Sequence, residues 1–111
     1  MNDLKDRHCE PPERFPGPMS PADRDAMLKQ LHPDWNLDAD RGLISRRLRF
    51  GNFHETIGFV NAVAWIANRE DHHPDLEVSY NQCVVRFTTH AVNGLTLNDY
   101  ICAAHVDALF D

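Results

Sequence analysis

Apolar residues recur at two periods along this chain, and the switches between them divide it into seven elements. Phe53, Ile57, Val60, Ala64 and Ala67 are spaced 4, 3, 4 and 3 apart, with Phe59, Val63 and Ile66 as a neighbouring stripe. That spacing predicts a helix with a broad buried face. Asn52 followed by Glu55 forms its start signal, and Pro74 disfavours helical geometry at the preceding residue, so the helix ends near His72-His73. The same signature, a small polar cap with an acid three residues later, recurs twice. Ser20-Pro21-Ala22-Asp23 opens a short helix to about Leu31, and Thr96-Leu97-Asn98-Asp99 opens one running almost to the C-terminus.

Between the helices the period falls to two. Leu43 to Phe50 puts Ile44, Leu48 and Phe50 on one face, opposite Ser45, Arg47 and Arg49. Trp35 to Leu37, before an Asp38-Ala39-Asp40-Arg41-Gly42 turn, is its expected hairpin partner. Leu76, Val78 and Tyr80 alternate with Glu77 and Ser79; after Asn81-Gln82, Cys83 to Thr89 carries Val85 and Phe87 on one side. The order α-β-β-α-β-β-α predicts an α+β, two-layer domain, with a mainly antiparallel four-stranded sheet and helices on one face.

Two regions depart from this regularity. Five prolines lie between Pro11 and Pro21, and up to Met19 only Leu4 and Phe15 offer much apolar surface. Residues 1–19 are therefore expected to be a proline-rich flexible tail, docked at most through Phe15, and 20–111 a single domain. In the last helix Leu97, Ile101, Ala104 and Ala108 form one stripe and Cys102, Val106, Leu109 and Phe110 another. A helix apolar on two sides should be buried on two sides, which predicts a homo-oligomer.

Composition narrows the function classes. The 111 residues include 17 acidic and 11 basic side chains, for a net charge of −6. That argues against direct nucleic-acid contact. The longest apolar run, Ala62 to Ala67, is too short to span a membrane, and the N-terminal residues lack the apolar stretch of a signal peptide. Cys9, Cys83 and Cys102 are odd in number and widely spaced, which favours a reducing compartment, the cytoplasm, over a disulfide framework. Arg41, Arg46, Arg47 and Arg49 read as a solvated strand face.

Seven histidines are many for this length. His8, His32, His54 and His105 read as surface or structural residues. His72 and His73 end the second helix, and the second hairpin returns His90 toward the same edge. Three imidazoles converging there suit proton transfer in both directions near neutrality. Metal binding is the weaker reading, since adjacent histidines project differently and no H-E-x-x-H or acidic ligand cluster accompanies them. Nothing in the pattern calls for a cofactor.

His72-His73-Pro74, five residues, Tyr80, nine residues, His90, eight residues and Asp99 resemble the motif of the pterin-4a-carbinolamine dehydratases. Thr89 to Asp99 is similar to that family's "TH…GLT..D" segment. The resemblance covers about Ser20 to Phe110. It departs at Asn68, where the family usually carries an acid. It implies a dehydratase that eliminates water from a 4a-hydroxytetrahydropterin, giving quinonoid dihydropterin, in tetrahydrobiopterin recycling beside an aromatic amino acid hydroxylase. It further implies His72 and His90 as the acid/base pair, His73, Tyr80 and Asp99 as substrate-binding groups, no metal or cofactor, and a dimer or tetramer. The residues alone also fit a packing role for Tyr80 and a capping role for Asp99. Relatives that act as dimerisation cofactors of transcription factors keep open a second reading, a non-catalytic interaction module with a vestigial pterin site.

Overall fold

The computed structural model describes residues 3–111, leaving Met1 and Asn2 of the expected tail outside the described residues. The elements run α1 (Pro21–Leu28), β1 (Asn36–Asp38), β2 (Leu43–Arg49), α2 (Phe53–Glu70), β3 (Asp75–Ser79), β4 (Gln82–Phe87) and α3 (Leu97–Ala108). The expected starts form: Ser20 Oγ accepts the Asp23 N–H at 3.2 Å, and Asn52 Oδ1 accepts the Glu55 N–H at 2.9 Å. All strand pairs are antiparallel, in the order β1-β2-β4-β3, so the two hairpins join through their inner strands. The register sets Ile44 opposite Phe87 and Leu48 opposite Cys83. Those side chains share one face and bury it against Phe59 and Val63 of α2 and Ile101 and Val106 of α3. The result is the expected α+β two-layer domain. Among the described residues no helix is long and apolar enough to cross a membrane.

Three expectations change in the packed structure. The first concerns α2, whose buried face runs through Thr56, Phe59, Val63, Ile66, Ala67 and Glu70, while Phe53 and Ala64 are exposed. Its apolar arc is wider than the surface the sheet can cover, so packing selects one side of it. The second concerns Arg46, which lies on the core face of β2 rather than in solvent, because it stands between Ile44 and Leu48 at period two. Its guanidinium pairs with Asp107 of α3. Asp107 also accepts Trp35 Nε1–H at 2.8 Å and the His32 N–H at 3.0 Å.

The third change is the segment before Ser20. Residues 3–19, read from the sequence as a flexible tail, lie on the domain: residues 4–10 against α3 and the end of α2, and residues 12–18 beside the turn at 91–93. Leu4, in a single 3-10 turn (Leu4–Asp6), is buried in the core cluster. Burying a leucine contributes about 1.5–3 kcal/mol, enough to offset the ordering of a residue or two. Polar ties add to it. Glu10 N–H donates to Asn98 Oδ1 (3.0 Å), Asn98 Nδ2 donates to Glu10 O (2.7 Å), and Met19 N–H donates to Leu95 O (2.8 Å). The second apolar side of α3 thus finds cover within its own chain, where a partner subunit was expected. Leu109 and Phe110 stay exposed.

Glu70 is the other anchor of this segment, taking the Cys9 N–H on Oε1 and His8 Nδ1 on Oε2, both at 2.8 Å. Burial pushes its carboxyl up, but hydrogen bonds from Cys9, His8 and Arg69 together outweigh burial and hold it below its ordinary 4.5. A carboxylate depressed on folding contributes stability that is complete above its unfolded value and lost as pH falls through its folded one. Thermal unfolding followed from pH 7 to pH 3 should therefore show stability falling below about pH 4.5. Glu70→Gln should flatten part of that decline. An unchanged pH dependence in the variant would remove Glu70 from the account.

Candidate active site

The backbone after α2 decides where the two adjacent histidines go. Asp71 adopts the left-handed conformation (φ 53°, ψ 42°), and the His72 N–H closes on Ala67 O at 3.2 Å. His72 and His73 therefore stand just beyond the helix, where an end-of-helix position was expected. The turn sends His72 inward, where it is buried, and leaves His73 exposed.

His72 meets α3 there. Its Nε2 lies 2.6 Å from Asp99 Oδ1. A carboxylate only accepts, so Nε2 carries the hydrogen and Nδ1 is left free, making no hydrogen bond among the described residues. The ring stacks on Phe87 of β4, with centroids 6.0 Å apart and planes 10° from parallel. Asp99 is completely buried. Its Oδ2 accepts the Thr89 hydroxyl at 2.8 Å and the Thr96 N–H at 3.0 Å, and the Thr89 and Thr96 hydroxyls are 2.9 Å apart. One carboxylate thus caps α3 and fixes an imidazole at once. Both oxygens are thus occupied below the surface, and the carboxylate lies behind the His72 imidazole.

His73 has a parallel arrangement in miniature, its Nε2 3.1 Å from Asn68 Oδ1 on the exposed side. Asn68 keeps a hydrogen-bond acceptor for the imidazole without supplying charge.

His90 lies three residues past β4, at the start of a 3-10 turn (His90–Val92), and is exposed. The Thr89–Gly94 bridge and the left-handed Asn93 (φ 53°) close that turn. Gly94 is required by close approach, since a Cβ there would sit 2.7 Å from Pro18 Cβ. His90 is tied to His72 through Thr89, whose hydroxyl and the His72 imidazole share the Asp99 carboxylate. A groove between residues 12–18 and 91–93 borders this turn. A concavity of about 800 Å³ lies elsewhere, beside Leu4, Arg46 and Phe110, and holds none of these groups.

Tyr80 is not part of this arrangement within one chain. It sits at the tip of the β3–β4 hairpin, exposed and stacked on Phe53 at 6.3 Å. A strand advances about 3.3 Å per residue, which carries Tyr80 roughly 20 Å from His72. The sequence reading missed the partners that hold the site. Phe87, Thr89 and Thr96 looked like strand and cap residues, and only the adjacency of Thr89 to His90 hinted otherwise. Tyr100, next to Asp99, is pushed up to about 12 by burial and by the Asp99 charge. It stays protonated and donates to Arg24 O at 3.1 Å.

A second cluster, His8, Glu70 and His105, has ligand atoms within 4.8 Å of one another. The Arg69 guanidinium already engages two of these three groups, Glu70 Oε2 at 3.0 Å and His105 Nδ1 at 3.4 Å. His105 Nε2 donates to Arg7 O at 2.7 Å. Both histidines serve to hold the N-terminal segment.

A family model described as pterin 4 alpha carbinolamine dehydratase matches residues 17–109. A Legionella pneumophila (strain Corby) protein provisionally named pterin-4-alpha-carbinolamine dehydratase is 51% identical over 108 residues, 97% of this chain and 96% of its own. A similarly named Nitrosomonas eutropha protein is 51% identical over 107 residues, 96% and 93% of the two chains. Among solved structures, a transcriptional coactivator/pterin dehydratase from Brucella melitensis superposes with a TM-score of 0.79 at 29% identity, over 84% of this chain and 98% of its own. A pterin dehydratase-like RuBisCO assembly factor of the alpha-carboxysome shares the fold, with a TM-score of 0.62 at 23% identity, over 70% and 90% of the two chains.

Proposed function

This chain belongs to the pterin-4a-carbinolamine dehydratase family, and we propose that it eliminates water from a 4a-hydroxytetrahydropterin by histidine acid/base catalysis. The observation that carries the proposal is His72. Its Nε2 is engaged by Asp99 at 2.6 Å, which leaves Nδ1 as the atom that can take or give a proton.

The reaction asks for little else. In a carbinolamine the ring nitrogen's lone pair expels the neighbouring hydroxyl as the C4a–O bond breaks. One proton must reach the leaving oxygen, forming water, and one must leave nitrogen. Delivery and removal balance, so His72 and His90 can exchange roles between turnovers. An imidazole can give up a proton in one step and take one up in the next, as a two-way carrier requires. His73, held by Asn68, is the substrate-binding group nearest the pair in sequence. A tetrahydropterin made 4a-hydroxylated by an aromatic amino acid hydroxylase would be the source of substrate, and recycling of tetrahydrobiopterin the outcome.

The test is direct. The 4a-hydroxytetrahydropterin is generated in situ and its dehydration followed spectroscopically with and without the purified chain. Acceleration over the spontaneous rate is expected, and its absence would overturn the proposal. A second reading, an interaction module, draws on the coactivator and assembly-factor names of the structural neighbours and on exposed Trp65 and Phe110. It gains if no acceleration is seen. A second copy of the chain joined along the sheet edges β1 and β3 belongs to either reading, and sedimentation showing only monomer at micromolar concentration would exclude it.

A further inference from the structure

Cys9 and Cys102 are 93 positions apart in sequence, yet their sulfurs are 3.5 Å apart in the fold. Both are free thiols. Cys102 is fully buried on α3, one turn after Asp99, with its Sγ 4.0 Å from the His72 carbonyl. Cys9 is half-buried at the protein surface, in the segment that docks on α3. The backbone on either side of Cys9 is held, by Glu70 at the Cys9 N–H and by the Asn98 amide at both the N–H and the carbonyl of Glu10. Those three hydrogen bonds keep the two sulfurs facing each other.

We propose that Cys9 and Cys102 form a reversible disulfide latch that fastens the N-terminal segment to α3 when a low-molecular-weight disulfide is present. The sulfurs must close from contact distance to a bond of about 2.05 Å. The peripheral segment can supply that movement more readily than the buried helix.

With a small disulfide as oxidant, the half-exposed Cys9 sulfur attacks first. It forms a mixed disulfide and releases one small thiol. The Cys102 sulfur, losing its proton to solvent, then attacks the Cys9 sulfur and releases the second small thiol. Two protein thiols are oxidised and one small disulfide is reduced to two thiols. Cys102 is the second attacker because its hydrogen bond to Cys9 and its burial hold its thiol well above the ordinary value. That also makes closure slow near pH 7, since the thiolate is the nucleophile. Cys83 is completely buried, its thiol is raised by burial, and it has no sulfur neighbour among the described residues. It should stay reduced.

Oxidised glutathione, followed by non-reducing peptide mapping of the intact chain, tests this without reference to catalysis. The expected product is a Cys9–Cys102 cross-linked peptide formed within one chain, with a free Cys83 and no covalent link between chains. Closing so long a loop should raise the unfolding temperature by roughly 10 °C or more, reversibly with reductant. Cys9→Ser, at the less buried position, should fold normally and lose the shift, while Cys83→Ser should keep it. A stable glutathione adduct on Cys9 without the cross-link, a link to Cys83, a link only between chains, or no loss of thiols would each overturn the latch.

Discussion

His72→Gln should lower the rate of 4a-hydroxytetrahydropterin dehydration by roughly 10²–10⁴-fold and leave the chain folded. A glutamine amide can still donate to Asp99 Oδ1, the atom His72 holds at 2.6 Å. It cannot carry a proton at the position of Nδ1. His72→Ala should lose as much rate and also some stability, because the fully buried Asp99 would lose one of its three donors. His90→Ala, at an exposed position, should lower the rate with little change in unfolding temperature. Asp99→Asn supplies the remaining comparison. It removes the charge that fixes the imidazole but keeps an oxygen for Thr96 N–H or Thr89. A fall in kcat with KM little changed would mark Asp99 as a positioning residue. Equal rates for wild type and a His72→Gln/His90→Ala double variant would remove both histidines from the mechanism.

Asp107→Ala should destabilise the domain by about 3–5 kcal/mol, the usual cost of stranding one member of a buried ion pair. Arg46 lies within the core layer with its side chain 11% exposed, and Asp107 is 18% exposed. The Arg46 Nε has no partner among the described residues, so the Asp107 carboxylate is the guanidinium's principal compensation. Trp35 Nε1 and the His32 N–H would lose their acceptor as well. A drop in unfolding temperature of roughly 15 °C or more is expected for a domain of this size. Arg46→Met in the same background should recover part of the loss by removing the stranded charge. If the double variant is no more stable than Asp107→Ala, the penalty does not come from the buried guanidinium.

Neither effect is written in local pattern, and the two residues show why. Arg46 is one of four arginines near β2, and residue type alone does not distinguish it from Arg47 or Arg49. Period two does place it with Ile44 and Leu48, but only the arrival of Asp107 from α3 makes that position tolerable for a cation. Asp99 looked like a helix cap, and it is one. Its second function depends on the left-handed turn at Asp71, which aims a histidine from another element at its free oxygen.

The motif from His72 to Asp99 was legible because spacing along one chain survives folding. Tyr80 shows the limit of that information. It belongs to the motif by spacing, but the hairpin that returns His90 to the site carries Tyr80 to the opposite end of the sheet.

Sequence by itself determined the seven elements, their order, the two hairpins and the histidine motif. Each follows from short-range rules of helix caps, periodicity and turn residues, which act within a few positions. Tertiary structure alone decided that the hairpins join through β2 and β4, and that Leu4 and Cys9 cover α3. It also decided that Asp99 lies behind His72 and that Asp107 reaches Arg46. These are contacts between groups far apart in the chain, made by burial and by the need of every buried polar group for a partner. Hydrophobic pattern says that a face will be covered; which side chains cover it is decided when the whole chain packs.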